Sequence, residues 1–189
     1  MTWQLIRLSD AVASPWRNGG GVTRELVVWP LGGADWAWRI SVAQVASSGP
    51  FSRFEGVQRW FAVLNGNGVS LQLPGAGHLL TAASAPLEFD GEAAVDCRLL
   101  DGPTQDLNLM VRRDRAGARM QRLAGPQQFV ARAAKAVAVY ADAGAARLRD
   151  ELGTLEVPAQ SLAWRSVPAG TQLEVTAPGA LWMEIEPWA

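Results

Sequence analysis

Short apolar runs separated by clusters of Gly, Pro, Asn and Asp recur along the chain. That spacing predicts many short strands, the pattern of a β-sandwich or barrel. Trp36 to Val42 alternates apolar and polar positions, and so does Val69 to Leu73. Further strands are predicted at Leu99-Leu100 and at Leu107 to Val111, around an Asp101-Gly102-Pro103 turn. Turn signals also stand at Gly49-Pro50, Asn65 to Gly68, Pro74-Gly75, Ala169-Gly170 and Pro178-Gly179.

Phe129 to Leu152 is ambiguous, because its alanines favour helix. Ala136 to Tyr140 followed by Ala143-Gly144 also reads as a hairpin, and an internal comparison favours that. Ala62-Val63-Leu64, a turn and Val69 to Leu71 resemble Ala138 to Tyr140, a turn and Ala145 to Arg147. Ala85 to Phe89 resembles Gln160 to Trp164, and Asp106 to Met110 resembles Leu181 to Ile185. The offsets stay near 75 residues, which suggests two copies of one β-module.

Composition narrows the partners. At 189 residues and 49% hydrophobic, the chain can bury a substantial core as one domain or two small modules. Seventeen basic and eighteen acidic residues leave a net charge of −1 with no basic run, so nucleic acid is not an expected partner. Lys135 is the only lysine; the other cations are arginines, whose forks suit carboxylate and phosphate. No apolar stretch approaches a membrane span, and the start of the chain lacks a leader signature, so the expectation is a cytoplasmic protein. A homodimer is allowed but not signalled.

Cys97 is the only cysteine and His78, in the predicted loop Pro74 to His78, the only histidine. A disulfide framework is excluded, and the pair lacks the two or three imidazole or thiolate ligands of a transition-metal site. No metal and no cofactor are expected. There is no nucleophile elbow and no phosphate loop. Cys97 lies in an apparent strand, where a packed small hydrophobe is expected. Nine tryptophans could serve a partner surface, but most fall in strand-like runs and read as core.

Anion capture is the remaining chemistry. In Trp16-Arg17-Asn18-Gly19-Gly20-Gly21-Val22-Thr23-Arg24-Glu25, three glycines sit among hydrogen-bonding side chains. The stretch reads either as a tight inter-strand loop or as a binding surface. Side chains two apart on a strand share a face. Arg39 then lies with Ser41, Arg59 with Val57 and Phe61, and Asp106 with Asn108 and Met110. If those faces line a lumen, arginines and amides converge where a small carboxylate could bind. If they face solvent, the apolar faces form the core; alternation alone does not decide.

The segment Trp16 to Glu25 resembles the opening block of the HutD/Ves family. Trp38 to Ala43 with Ser48 to Gly56 and Arg59 resembles its second block. Phe89-Asp90-Gly91 and Asp106 to Met110 resemble the third and fourth. The resemblance implies an all-β, cupin-like double-stranded β-helix, tandem (bicupin) in a single compact unit. The implied halves are 1–115, carrying the pocket, and 116–189, mainly scaffold. It implies ligand contacts at Asn18, Thr23, Arg24, Arg39, Ser41, Arg59 and Asn108, with Trp16 and Phe51 as walls. The glycines would let backbone approach the ligand. At the offset near 75, Lys135 falls on Arg59 and Met183 on Asn108, which leaves the second half without an equivalent polar set. Many cupins hold a metal with a His-x-His and Glu set, which this chain lacks. The family is associated with bacterial histidine utilisation and with a ligand of urocanate or formylglutamate type. The competing reading is an enzyme acting on a small carboxylate, with Glu25 or Asp106 as general base.

Overall fold

The computed structural model describes residues 2–31 and 35–188; Met1 and Ala189, the outer ends of the two expected halves, lie outside them. Among these residues the regular structure is strand, apart from one 3-10 turn at Leu8–Asp10. The strands are β1 (Gln4–Arg7), β2 (Ala13–Pro15), β3 (Gly21–Trp29), β4 (Trp38–Val45), β5 (Gly49–Pro50), β6 (Val57–Asn65) and β7 (Val69–Leu73). They continue as β8 (Ala76–Leu80), β9 (Leu87–Asp90), β10 (Asp96–Leu99), β11 (Thr104–Arg112), β12 (Ala116–Arg122) and β13 (Gln127–Val130). The last are β14 (Lys135–Ala141), β15 (Ala146–Asp150), β16 (Gly153–Val157), β17 (Ser161–Val167), β18 (Gln172–Thr176) and β19 (Leu181–Pro187).

Contacts divide the chain into two units: Val12–Arg115, here the first unit, and Met1–Ala11 with Ala116–Ala189, the second. The expected first half, 1–115, therefore gives up its first eleven residues. The cause is backbone pairing: Gln4 to Arg7 lie antiparallel to Ser161 to Trp164.

Each unit holds two sheets. In the first, β2-β3-β4-β11-β6-β9 forms one sheet and β5-β10-β7-β8 the other. In the second, β1-β17-β14-β19-β12 and β13-β18-β15-β16 do so. Adding eight to each label of β4-β11-β6-β9 and β5-β10-β7-β8 reproduces the second unit's order. The chain is thus a double-stranded β-helix of cupin type, built twice in tandem. The hairpin reading of Ala136 to Tyr140 holds: β14 and β15 are strands where alanine content alone would suggest a helix. Residue type yields there to pairing, since β14 hydrogen-bonds to strands on both sides and all seven of its residues are buried.

The first unit's core lies between its sheets. Phe61 and Val63 of β6 and Phe89 of β9 meet Val69 and Leu71 of β7, Leu80 of β8 and Cys97 of β10. The second unit's core is built alike, with Val137, Val139 and Trp182 against Leu148, Leu173 and Val175. His78 departs from expectation: the turn is confined to Pro74-Gly75, and His78 lies half-buried within β8, paired opposite Leu71.

Candidate functional site

In the first unit, β11 is flanked by β4 on one side and β6 on the other. The register sets Met110 opposite both Arg39 and Arg59, and Asn108 opposite both Ser41 and Phe61. Strand alternation then puts these side chains on one face. That face turns inward, because Phe61 and Val45 on it belong to the inter-sheet core. The opposite faces are buried too, Ile40, Leu107 and Leu109 completely. Both faces are thus shielded from water, which is why alternation could not tell lumen from solvent.

The inward face opens on a cavity of about 450 Å³. Trp16, Asn18, Thr23, Arg39, Ser41, Phe51, Arg59 and Asn108 line it, eight of the nine expected contacts. Arg24 does not. It follows Thr23 on β3, so its side chain leaves by the other face. Arg17, Phe54, Phe61 and Met110 line the cavity without having been singled out as contacts. Phe61 and Met110 could have been found, since each shares a strand face with an expected contact. Phe54 lies in an irregular loop with no periodicity to point to it.

Arg59 is the most buried of the arginines lining the cavity, only 6% exposed. Its Nη2 donates to Asn108 Oδ1 at 2.9 Å and its Nη1 to the Ser52 carbonyl at 3.4 Å. The rings of Phe89, Phe51 and Phe54 surround its guanidinium at 5.0, 5.4 and 5.6 Å. Burial, and secondarily the charge of Arg39, pulls its pKa down to about 10. Among the described residues no carboxylate pairs with Arg59, and its Nε has no partner. Arg39 sits between Trp36 and Phe54, at 5.0 and 5.2 Å. Burial lowers its pKa, and Glu25 opposes that. Glu25 is a loose partner, 4.0 Å away with half its side chain exposed. Three arginines line the cavity and no aspartate or glutamate does. Aromatic walls lower the local dielectric and strengthen such charge.

Neither candidate base lines the cavity. Glu25 is exposed beside Arg39. Asp106 is completely buried: its Oδ2 accepts the Thr104 hydroxyl at 2.8 Å and its Oδ1 has no partner. Burial lifts its carboxyl to about 7, opposed by the Thr104 hydrogen bond. Cys97 is completely buried, and burial followed by the nearby Asp106 charge pushes its thiol up to about 12, an inert packed cysteine.

The glycine run works differently from the expectation. A Cβ at Gly21 would lie 2.3 Å from the Gln44 carbonyl oxygen and 3.2 Å from the Trp16 ring. Gly21 therefore lets its own neighbours close in; none of the three glycines lines the cavity. The tight turn holds Trp16 as a wall, with its Nε1 donating to Thr23 Oγ1 at 2.8 Å. Asn18 Oδ1 accepts the Gly20 N–H at 3.0 Å and stabilises the same turn.

The second unit corrects another expectation. Val137 pairs with Glu184 as Phe61 pairs with Asn108, each 76 residues further on. The residue matching Asn108 is thus Glu184, not Met183, and Met110 is matched by Glu186. An offset one residue short had turned the strand over. Lys135, the counterpart of Arg59, donates to Glu184 at 2.7 Å and to Glu186 at 2.5 Å. Burial works against its charge, but the two carboxylates outweigh it and raise the lysine pKa. The second lumen therefore has a polar set of its own, in which two carboxylates more than offset the one ammonium. A larger depression of about 640 Å³ in this unit, lined by Phe129, Arg149, Thr171 and Glu174 among others, excludes that set.

Among the described residues no group of three His, Cys, Asp or Glu side chains could hold a metal ion. No helix there is long and apolar enough to cross a membrane.

The HutD family model matches residues 8–183. The chain belongs to the HutD family. It is 40% identical over 119 residues to an uncharacterized 21.2 kDa protein of the hutC 3′ region of Pseudomonas putida, covering 62% of this chain and 63% of that one. Protein Ves of Citrobacter koseri is 35% identical over 142 residues, 75% of this chain and 73% of Ves. The solved structure of HutD from Pseudomonas fluorescens SBW25, in a formate condition, matches with a TM-score of 0.89 at 31% identity, covering both chains completely. The HutD and Ves resemblance read from the sequence is therefore correct.

Proposed function

We propose that the first unit binds a small carboxylate metabolite, of urocanate or formylglutamate type, and that this HutD-family protein acts as a ligand-responsive modulator of histidine utilisation. The observation carrying this reading is Arg59: a buried guanidinium on a cavity, with neutral partners only. A buried cation without a counter-ion is costly, and a ligand carboxylate removes that cost with bidentate geometry. Arg39 and Arg17 extend the positive lining, and Phe51, Phe54 and Trp16 supply apolar walls for the rest of the ligand. The relative from the hutC 3′ region of Pseudomonas putida supports the pathway link. Binding is favoured over catalysis because the two candidate bases, Glu25 and Asp106, stand outside the lining.

Calorimetric titration with urocanate, formylglutamate, glutamate and formate tests the reading. One site per chain is expected for at least one of them, weakening as salt is added. No heat with any of the four overturns it.

A further inference from the structure

Arg39 donates from Nε and Nη2 to the sulfur of Met110, at 3.3 and 3.1 Å. A thioether is among the weakest acceptors in proteins. Met110 is 3% exposed and stands in register between Arg39 and Arg59. The sulfur therefore fixes the direction of the Arg39 fork without discharging it. A carboxylate oxygen makes a shorter, charge-assisted bond to the same N–H groups. The second unit shows the alternative, since Glu186 occupies the matching position and pairs with the lumen cation.

We propose that Met110 is a positioning and specificity-determining residue: its thioether orients Arg39 before an anion binds and yields those N–H groups to the carboxylate of that anion. The ligand half of this inference rests on the carboxylate reading above; the positioning half rests on geometry alone. The type of acceptor at residue 110 then decides whether the site is open. Leucine keeps the volume and removes the acceptor, glutamine keeps a neutral acceptor, and glutamate supplies a permanent counter-charge.

The test uses Met110→Leu, Met110→Gln and Met110→Glu in the full chain. The Arg39 Nε–H signal, assigned with Arg39→Lys, is followed by NMR without ligand, and formylglutamate affinity by calorimetry. Thermal melting verifies folding. The wild type and Met110→Gln should show a slowly exchanging Nε–H, and Met110→Leu a broadened or absent one. Affinity should fall about tenfold in Met110→Leu, stay within about threefold in Met110→Gln, and fall about a hundredfold or more in Met110→Glu. If the wild type ignores formylglutamate while the Nε–H signal depends on residue 110, the carboxylate reading fails and the positioning role stands. If Met110→Leu and Met110→Glu leave signal and affinity unchanged, the inference is overturned. Should Met110→Leu fail to fold, Met110→Gln against Met110→Glu decides: equal affinities overturn it.

Discussion

The two lumens share one strand order and differ in how they treat a buried cation. In the first, Arg59 meets the amide of Asn108 and Arg39 meets the sulfur of Met110. In the second, Lys135 meets Glu184 and Glu186. The residue opposite Glu186 is Gly117, where the first unit has Arg39 opposite Met110. A Cβ at Gly117 would come within 2.7 Å of the Trp188 ring, so an indole crowds the side where the first unit extends a guanidinium. Neutral acceptors leave charge available to a ligand, whereas carboxylates consume it. The same fold thus leaves one lumen cation with neutral partners and pairs the other with carboxylates, through a few side chains on three strands.

The sharpest way to break this contrast is Arg59→Met. Carboxylate affinity should fall about a hundredfold, the upper end of roughly 1.5–3 kcal/mol for a charged hydrogen bond, as read by calorimetry. An unchanged affinity would place the ligand elsewhere. Lys135→Met is the reciprocal change. It leaves Glu184 and Glu186 facing one another, and chemical denaturation should show a loss of about 1–3 kcal/mol, tempered by their partial exposure. Carboxylate affinity should not move; a parallel loss of binding would couple the two lumens. Arg39→Ala should weaken binding about tenfold, less than Arg59→Met, because Arg39 is a quarter exposed.

The contrast extends one step deeper. Asp106 in the first lumen is matched by Trp182 in the second, since Val63 and Val139 are their partners 76 residues apart. Burial lifts the Asp106 carboxyl to about 7, so between roughly pH 4 and 7 the folded protein keeps a proton that the unfolded chain has released. The resulting stability is complete below that window and lost as pH rises through it, at no more than about 1.4 kcal/mol per pH unit. Melting temperatures of Asp106→Asn should lack this decline, and a slope equal to the wild type's would assign it to other groups. The smallest effect is expected from Arg24→Ala, with affinity within about twofold, because its side chain leaves the cavity face. A tenfold loss would return Arg24 to the site.

Much of the fold was legible because turn residues and alternation are local. The repeat in particular resolved Ala136 to Tyr140 against its own alanine content. The site was partly legible. Arg59, Asn108 and Ser41 follow from alternation once the face is known, but both faces are buried and alternation cannot rank them. The second lumen turns on a single residue. At an offset of 75 Asn108 maps to Met183, an apolar side chain on the wrong face; at 76 it maps to Glu184 and the ion pair appears. Phe54 was invisible because loops have no period, although its ring touches both Arg39 and Arg59. The role of the Gly19 to Gly21 run is not local, since the close approach of Gly21 to Gln44 and Trp16 arises only in the folded chain.

On the proposed function, an uncompensated cation makes one lumen receptive and a compensated one closes the other. A crystal structure of the protein grown with saturating formylglutamate tests it most directly. A carboxylate is expected about 2.8 Å from the Arg59 guanidinium, with Lys135 still bound to Glu184 and Glu186. A ligand against Lys135, or outside both lumens with Arg59 left as it is, would contradict it.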